Sequence, residues 1–166
     1  MKKLLTAIIL MTSVMAWADA LQDGVAAYGN RDYKTALEKF TPLANQGSAA
    51  AQSNLGSMYE KGHGVVQDYK QAVRWFTLAA EKGNEFGQSN LGVMYENGHG
   101  VVQDNKQAVR WFTLAAEQGN AVAQSNLGFM YENGHGVVQD YKQAVRWYTL
   151  AAEKGNEFGQ SNLGVM

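Results

Sequence analysis

The pentapeptide Gln52-Ser53-Asn54-Leu55-Gly56 returns as Gln88 to Gly92, as Gln124 to Gly128 and as Gln160 to Gly164, each time 36 residues further on. A second string, His63-Gly64-Val65-Val66-Gln67-Asp68, returns at His99 and at His135 in the same register. Self-similarity at such a period means one supersecondary unit stacked on copies of itself. The core of such a stack is continuous along its length, and whatever the chain does belongs to a repeated surface. No single pocket is implied.

One unit, Asn84 to Gly119, shows how each copy folds. Asn84 offers a side-chain acceptor to the free amides of a first helix, helix A, predicted from Glu85 to Asn97. Its apolar stripe is Leu91, Met94 and Tyr95, with small Gly87 on the same side, a spacing that fits 3.6 residues per turn. Gly98 and Gly100 then permit the positive φ that ends a helix, and Gly98 to Gln103 reads as a turn. Asp104 caps helix B, about Asn105 to Gln118, with Gln107 completing a capping-box-like pair. The stripe of helix B is Ala108, Trp111 or Phe112, Ala115 and Ala116, the alanines allowing close approach and a ring filling the gap one turn away. Trp75, Trp111 and Trp147 therefore read as packing residues, buried between layers.

The predicted architecture is all-α: repeats at 48–83, 84–119 and 120–155, a divergent N-terminal helix pair at 19–47 acting as a cap, and an incomplete repeat, helix A only, at 156–166. In the cap, Asp32, Ala36, Phe40, Ala44 and Gly47 align with Asp68, Ala72, Phe76, Ala80 and Gly83, with a shorter link between helices. Pro42 lies inside the second helix of that pair, where a kink is expected. The helix at 156–166 leaves Leu163 and Met166 covered on one side, which makes fraying or self-association through this end an expectation.

Ahead of the repeats, Met1-Lys2-Lys3 is a basic start, Leu4 to Val14 is apolar, and Ala16-Trp17-Ala18 has small residues where signal peptidase requires them. The segment 1–18 reads as a signal peptide cleaved after Ala18, with Ala18-Asp19-Ala20 as a second usable site, and the protein as periplasmic or secreted. The apolar run is shorter than the roughly 20 residues of a bilayer span, so no stable membrane insertion is expected. With 14 basic and 15 acidic side chains, and Lys2 and Lys3 lost on cleavage, the chain lacks the cationic excess that nucleic acid demands. It contains no cysteine, which excludes disulfides, thiol catalysis and cysteinyl metal sites.

These residues resemble the Sel1-like repeat family, relatives of the tetratricopeptide repeat with a longer loop between the helices. The resemblance rests on Leu91-Gly92-Val93-Met94-Tyr95 of helix A, on the turn from Gly98 to Val101, and on Ala108, Trp111, Ala115-Ala116 and Gly119 of helix B, and it spans Ala20 to Met166. It implies a right-handed α/α superhelical solenoid that serves as a protein-binding scaffold in bacterial envelopes. Some cysteine-rich bacterial members have been linked with penicillin binding or β-lactamase activity. This chain has no cysteine.

No catalytic constellation emerges. His63, His99 and His135 are one per layer, and stacked layers lie about 8–10 Å apart, too far for imidazoles that share one metal. Ser53, Ser89, Ser125 and Ser161 are each followed by glycine three places on, where a serine β-lactamase needs lysine. No catalytic residue, metal or cofactor is expected, and an envelope hydrolase of the penicillin-recognising kind or a cell-wall glycan binder are the alternatives. What remains is the side of helix A away from Leu91 and Tyr95, expected to line a concave groove for a protein or peptide. On it fall Asn54, Asn90 and Asn126, the serines Ser89 and Ser125, and the equivalent trio Ser57, Val93 and Phe129. Glu60, Glu96 and Glu132 complete it with Asn97 and Asn133. Phe129, aromatic where its equivalents are smaller, is a candidate anchor for a partner side chain.

Overall fold

The computed structural model describes residues 17–164. The predicted segment 1–16 of the leader, and Val165 and Met166 at the other end, lie outside them. The described residues form helices joined by turns, with no strand among them. Helix α1 covers 17–29. It is followed by α2 (Tyr33–Asn45), α3 (Ala49–Lys61), α4 (Tyr69–Glu81), α5 (Glu85–Asn97), α6 (Asn105–Glu117), α7 (Ala121–Asn133), α8 (Tyr141–Glu153) and α9 (Glu157–Leu163). The odd-numbered helices are the A helices and the even-numbered ones the B helices of successive antiparallel hairpins.

Caps set these boundaries. Asn84 Oδ1 accepts from the Gly87 amide at 2.8 Å, and Asp104 Oδ1 accepts from Lys106 and Gln107 at 2.9 and 3.1 Å. Each complete repeat ends its A helix on a left-handed glycine, Gly62, Gly98 or Gly134, whose amide returns to a carbonyl four residues back. Helix α2 runs through Pro42 as one element. The next glycine of each link, at φ 73–75°, presses the loop against the start of the preceding B helix: Gly64 on Tyr33, Gly100 on Tyr69 and Gly136 on Asn105.

One aromatic ring fills each hairpin. Phe40, Phe76, Phe112 and Tyr148 are fully buried, spaced 36 residues apart. Opposite each lies a glycine of the A helix, Gly24, Gly56, Gly92 and Gly128, where an added Cβ would meet the ring at 2.6–2.8 Å. The missing side chain is what lets the ring lie flat on the A-helix backbone. That the Gly24–Phe40 pair exists shows the N-terminal pair to be a hairpin of the same kind despite its shorter link.

The structure decides between Trp111 and Phe112. Phe112, not Trp111, occupies the hairpin interior, because Ala108, Phe112 and Ala115 are the positions that turn toward the same-hairpin A helix. Trp75 and Trp111 are only half-buried, and Trp147 is 9% exposed. Each packs backward onto the core of the preceding hairpin, Trp75 on the Phe40 cluster, Trp111 on the Phe76 cluster and Trp147 on the Phe112 cluster. The indoles therefore do lie between layers, at the seam. Arg74, Arg110 and Arg146 cover their outer faces, with guanidinium carbons 5.3–5.7 Å from the ring centroids.

Candidate functional site: the inner face of the A helices

Helix α3 touches α5, and α7 touches α9, so these A helices lie side by side and share one face, the expected inner one. Asn54, Asn90 and Asn126 stand half-exposed along that face, one per repeat. Asn54 donates back to the Ala50 carbonyl at 3.0 Å. Ser57, Val93 and Phe129 follow one turn on, and Asn97 and Asn133 close the row, each bonded to the carbonyl four residues earlier.

Other expected members are placed differently. Ser89 and Ser125 are buried, at 4% and 3% exposure, and the Ser125 hydroxyl donates to the Val122 carbonyl of its own helix at 2.9 Å. Glu96 lies near His135 of the next loop, and Glu132 turns toward its own hairpin. Glu132 Oε2 accepts the Tyr148 hydroxyl at 2.7 Å. Burial raises the Glu96 pKa, an effect that the nearby His135 charge opposes. Burial raises the Tyr28 pKa as well, aided by Tyr33 and by the negative charge of Glu60. Phe129 is half-buried: it packs on the Phe112 cluster, with its ring edge-on to His135 at 5.7 Å between centroids.

The histidines belong to the seams. His63 stacks on Tyr33 at 4.3 Å and shares a hydrogen bond with the Tyr28 hydroxyl through Nδ1 at 3.0 Å. His99 stacks on Tyr69 at 4.5 Å. At the third copy the tyrosine is replaced by Asn105, and His135 meets Phe129 instead. His63 and His99 thus join one repeat to the one before it, whereas the ring contact of His135 stays within its own repeat.

The inner face carries a depression of about 330 Å³ between α3 and α5. Ala50, Ser53, Asn54 and Ser57 form one side, and Asn84, Phe86 and Asn90 the other. None of these side chains carries a charge. Phe86, 58% exposed, was not singled out by sequence reasoning. The available signal was the position before Gly87, occupied in successive copies by Ala50, Phe86, Val122 and Phe158, too variable for a core stripe and too apolar for an idle surface.

Stacked helical hairpins with a ring-on-glycine core and one histidine seam per layer define an α/α solenoid of short helix-turn-helix repeats. The Sel1 repeat model matches residues 49–84, 86–120 and 121–156. The chain belongs to the Sel1 repeat family. It is similar to the crystal structure of a Sel1 repeat protein from Oxalobacter formigenes, with 35% identity and a TM-score of 0.83 over 89% of this chain and 59% of that one. It is also similar to a protective antigen of uropathogenic Escherichia coli with the same fold, with 40% identity and a TM-score of 0.84 over 95% of this chain and 35% of that one. A more distant likeness, 26% identity and a TM-score of 0.62, links it to cysteine-rich protein B of Helicobacter pylori, over 80% of this chain and 95% of that one. The chain thus spans under two thirds of the first two structures. No curated protein matches it.

Proposed function

We infer that the protein is an exported, non-catalytic scaffold that binds a protein or peptide partner in the bacterial envelope through its concave A-helix face. One observation carries this reading: between otherwise near-identical repeats, the inner-face side chains change from Ser57 to Val93 to Phe129 and from Ala50 to Phe86 to Val122. Packing inside the hairpin does not require these changes, whereas recognition of an asymmetric partner does. Solenoid adaptors use such extended inner surfaces. Among the described residues no helix is long and apolar enough to cross a membrane, and no group of three or more His, Cys, Asp or Glu side chains is arranged to hold a metal.

The test is capture of partners from an envelope fraction by the wild type and by a variant with Asn90, Asn126 and Phe129 changed to alanine, followed by mass spectrometry. Loss of the same partner with an unchanged melting temperature supports the reading, and equal recovery overturns it. Export is tested separately by N-terminal sequencing of the mature protein: a start at Asp19 or Leu21 is expected, and an intact Met1 counts against it.

A further inference from the structure

We propose that the depression between α3 and α5 is a specificity pocket that takes one uncharged, apolar side chain of an extended peptide. This deepens the scaffold reading above and rests on it. The argument starts from why the depression exists at this junction. Ala50 and Ser57 flank it on α3, and their equivalents are larger in the next copies, Phe86 and Val93, then Val122 and Phe129. Both positions are at their smallest in this copy, so the inner face is most open at this junction and a bound chain can seat one side chain there.

The chemistry of the lining selects the occupant. Every charged side chain is absent from it, so a lysine, arginine or carboxylate entering would lose water without gaining a partner. The exposed Phe86 ring supplies an apolar wall. Asn54 and Asn90, on the two sides of the depression, each offer a donor and an acceptor, the pairing that a peptide group needs. Layers of the stack repeat about every 8–10 Å, and an extended chain rises about 3.3 Å per residue. Asn54, Asn90 and Asn126 accordingly meet main-chain groups about three residues apart, and of the two side chains between such groups one points toward the pocket.

Terminally blocked nonapeptides of glycine and serine, with leucine, phenylalanine, lysine or glutamate as the single central guest, are titrated into the ¹⁵N-labelled protein. The leucine and phenylalanine peptides are expected to shift the Asn54 and Asn90 side-chain amide signals and to bind at least tenfold more tightly than the charged ones. Ser57→Val, which copies Val93, should weaken that binding severalfold, and Ser57→Phe, which copies Phe129, should abolish it while the melting temperature holds. If Ser57→Phe perturbs folding, the milder valine variant carries the comparison. Equal binding of charged guests, shifts confined to Asn126, or no shift with any guest overturns the pocket. So does a chito-oligosaccharide that shifts Asn54 and Asn90 when no peptide does. Partner capture that depends on Asn90, Asn126 and Phe129 can survive each of these failures, so the scaffold reading and the pocket stand or fall separately.

Discussion

The α5–α6 and α7–α8 hairpins differ at a handful of positions, and their distribution is uneven. Glu85, Phe86, Gly87 and Val93 become Ala121, Val122, Ala123 and Phe129 on the A helix, while Asn105, Phe112 and Gln118 become Tyr141, Tyr148 and Lys154 on the B helix. Only Phe112 against Tyr148 lies inside the hairpin, and the added hydroxyl there finds the Glu132 carboxylate at 2.7 Å. The other changes fall where one repeat meets the next or where the inner face is open. One set of residues is thus held constant to make a hairpin, and a second set is free to tune junctions and recognition.

The comparison breaks most visibly in the interior. Phe112→Ala removes a fully buried ring and should cost about 3–5 kcal/mol. Trp111→Ala, at the seam and not fully buried, should cost less, because water can reach the space the indole leaves. Urea unfolding of the two variants decides it, and equal losses would make the indole as much a core group as the phenyl ring.

A glycine pair tests the same division with one chemical change. Gly92→Ala drives a methyl group into Phe112 and should destabilise by about 1–3 kcal/mol. Gly29→Ala, at the end of α1 where nothing lies within 4 Å, should instead stabilise by about 0.5–1 kcal/mol by restricting the unfolded chain. Thermal melts with opposite shifts are expected. A harmless Gly92→Ala would show that the ring does not need its flat seat.

Tyr148→Phe turns the third hairpin into the second and should cost about 1–2 kcal/mol, the value of a hydrogen bond to a charged group whose partner is left half-buried. Its pH dependence has a definite sign. Burial first, then the bond to Glu132, raises the Tyr148 pKa, so the folded state keeps a proton that unfolded tyrosine releases near pH 10. Stability from this group is present below about pH 10 and is lost as pH rises from there toward the folded value. Chemical unfolding between pH 9 and 11.5 should show a shallower decline for Tyr148→Phe than for the wild type.

The helices and their caps were legible because each signal is local. Asn84, Asp104 and Gly98 act on amides and carbonyls within four residues, and α5 runs from Glu85 to Asn97 as the caps predict. Repeat count followed from the period, and the family resemblance from the motifs Leu91 to Tyr95, Gly98 to Val101 and Ala108 to Gly119. The place of the tryptophans between layers was legible, but the choice between Trp111 and Phe112 for the hairpin interior stayed open, because it is set by which side of helix B faces its own A helix. The inner face was read in part. Asn54, Asn90 and Ser57 stand where the helical wheel puts them. Ser89 and Ser125 are buried instead, Glu96 meets His135 of the following loop, and Glu132 meets Tyr148 of the next helix. The Glu96 contact runs between units, which the sequence of one unit does not contain.

The smallest expected effect concerns such a junction. Gln52, Gln88 and Gln124 each donate through Nε2 to the last turn of the preceding B helix, at 3.0–3.2 Å. The other end of the amide differs between copies. Gln88 Oε1 accepts from Gln118 Nε2 at 2.6 Å, whereas the buried Oε1 atoms of Gln52 and Gln124 have no partner. At those two junctions Gln118 is replaced by Lys82 or Lys154, whose ammonium reaches instead to the carbonyl of Gly47 or Gly119 at 2.6 Å. An exposed lysine–carbonyl bond is worth less than satisfying a buried acceptor. Lys82→Gln should therefore stabilise the protein by about 0.5–1 kcal/mol, and Gln118→Lys should destabilise it by a similar amount. Paired thermal melts at one ionic strength measure both. If Lys82→Gln proves destabilising, the lysine bridge is the stronger fastening, and the middle junction, not the outer two, is the weak point of the stack.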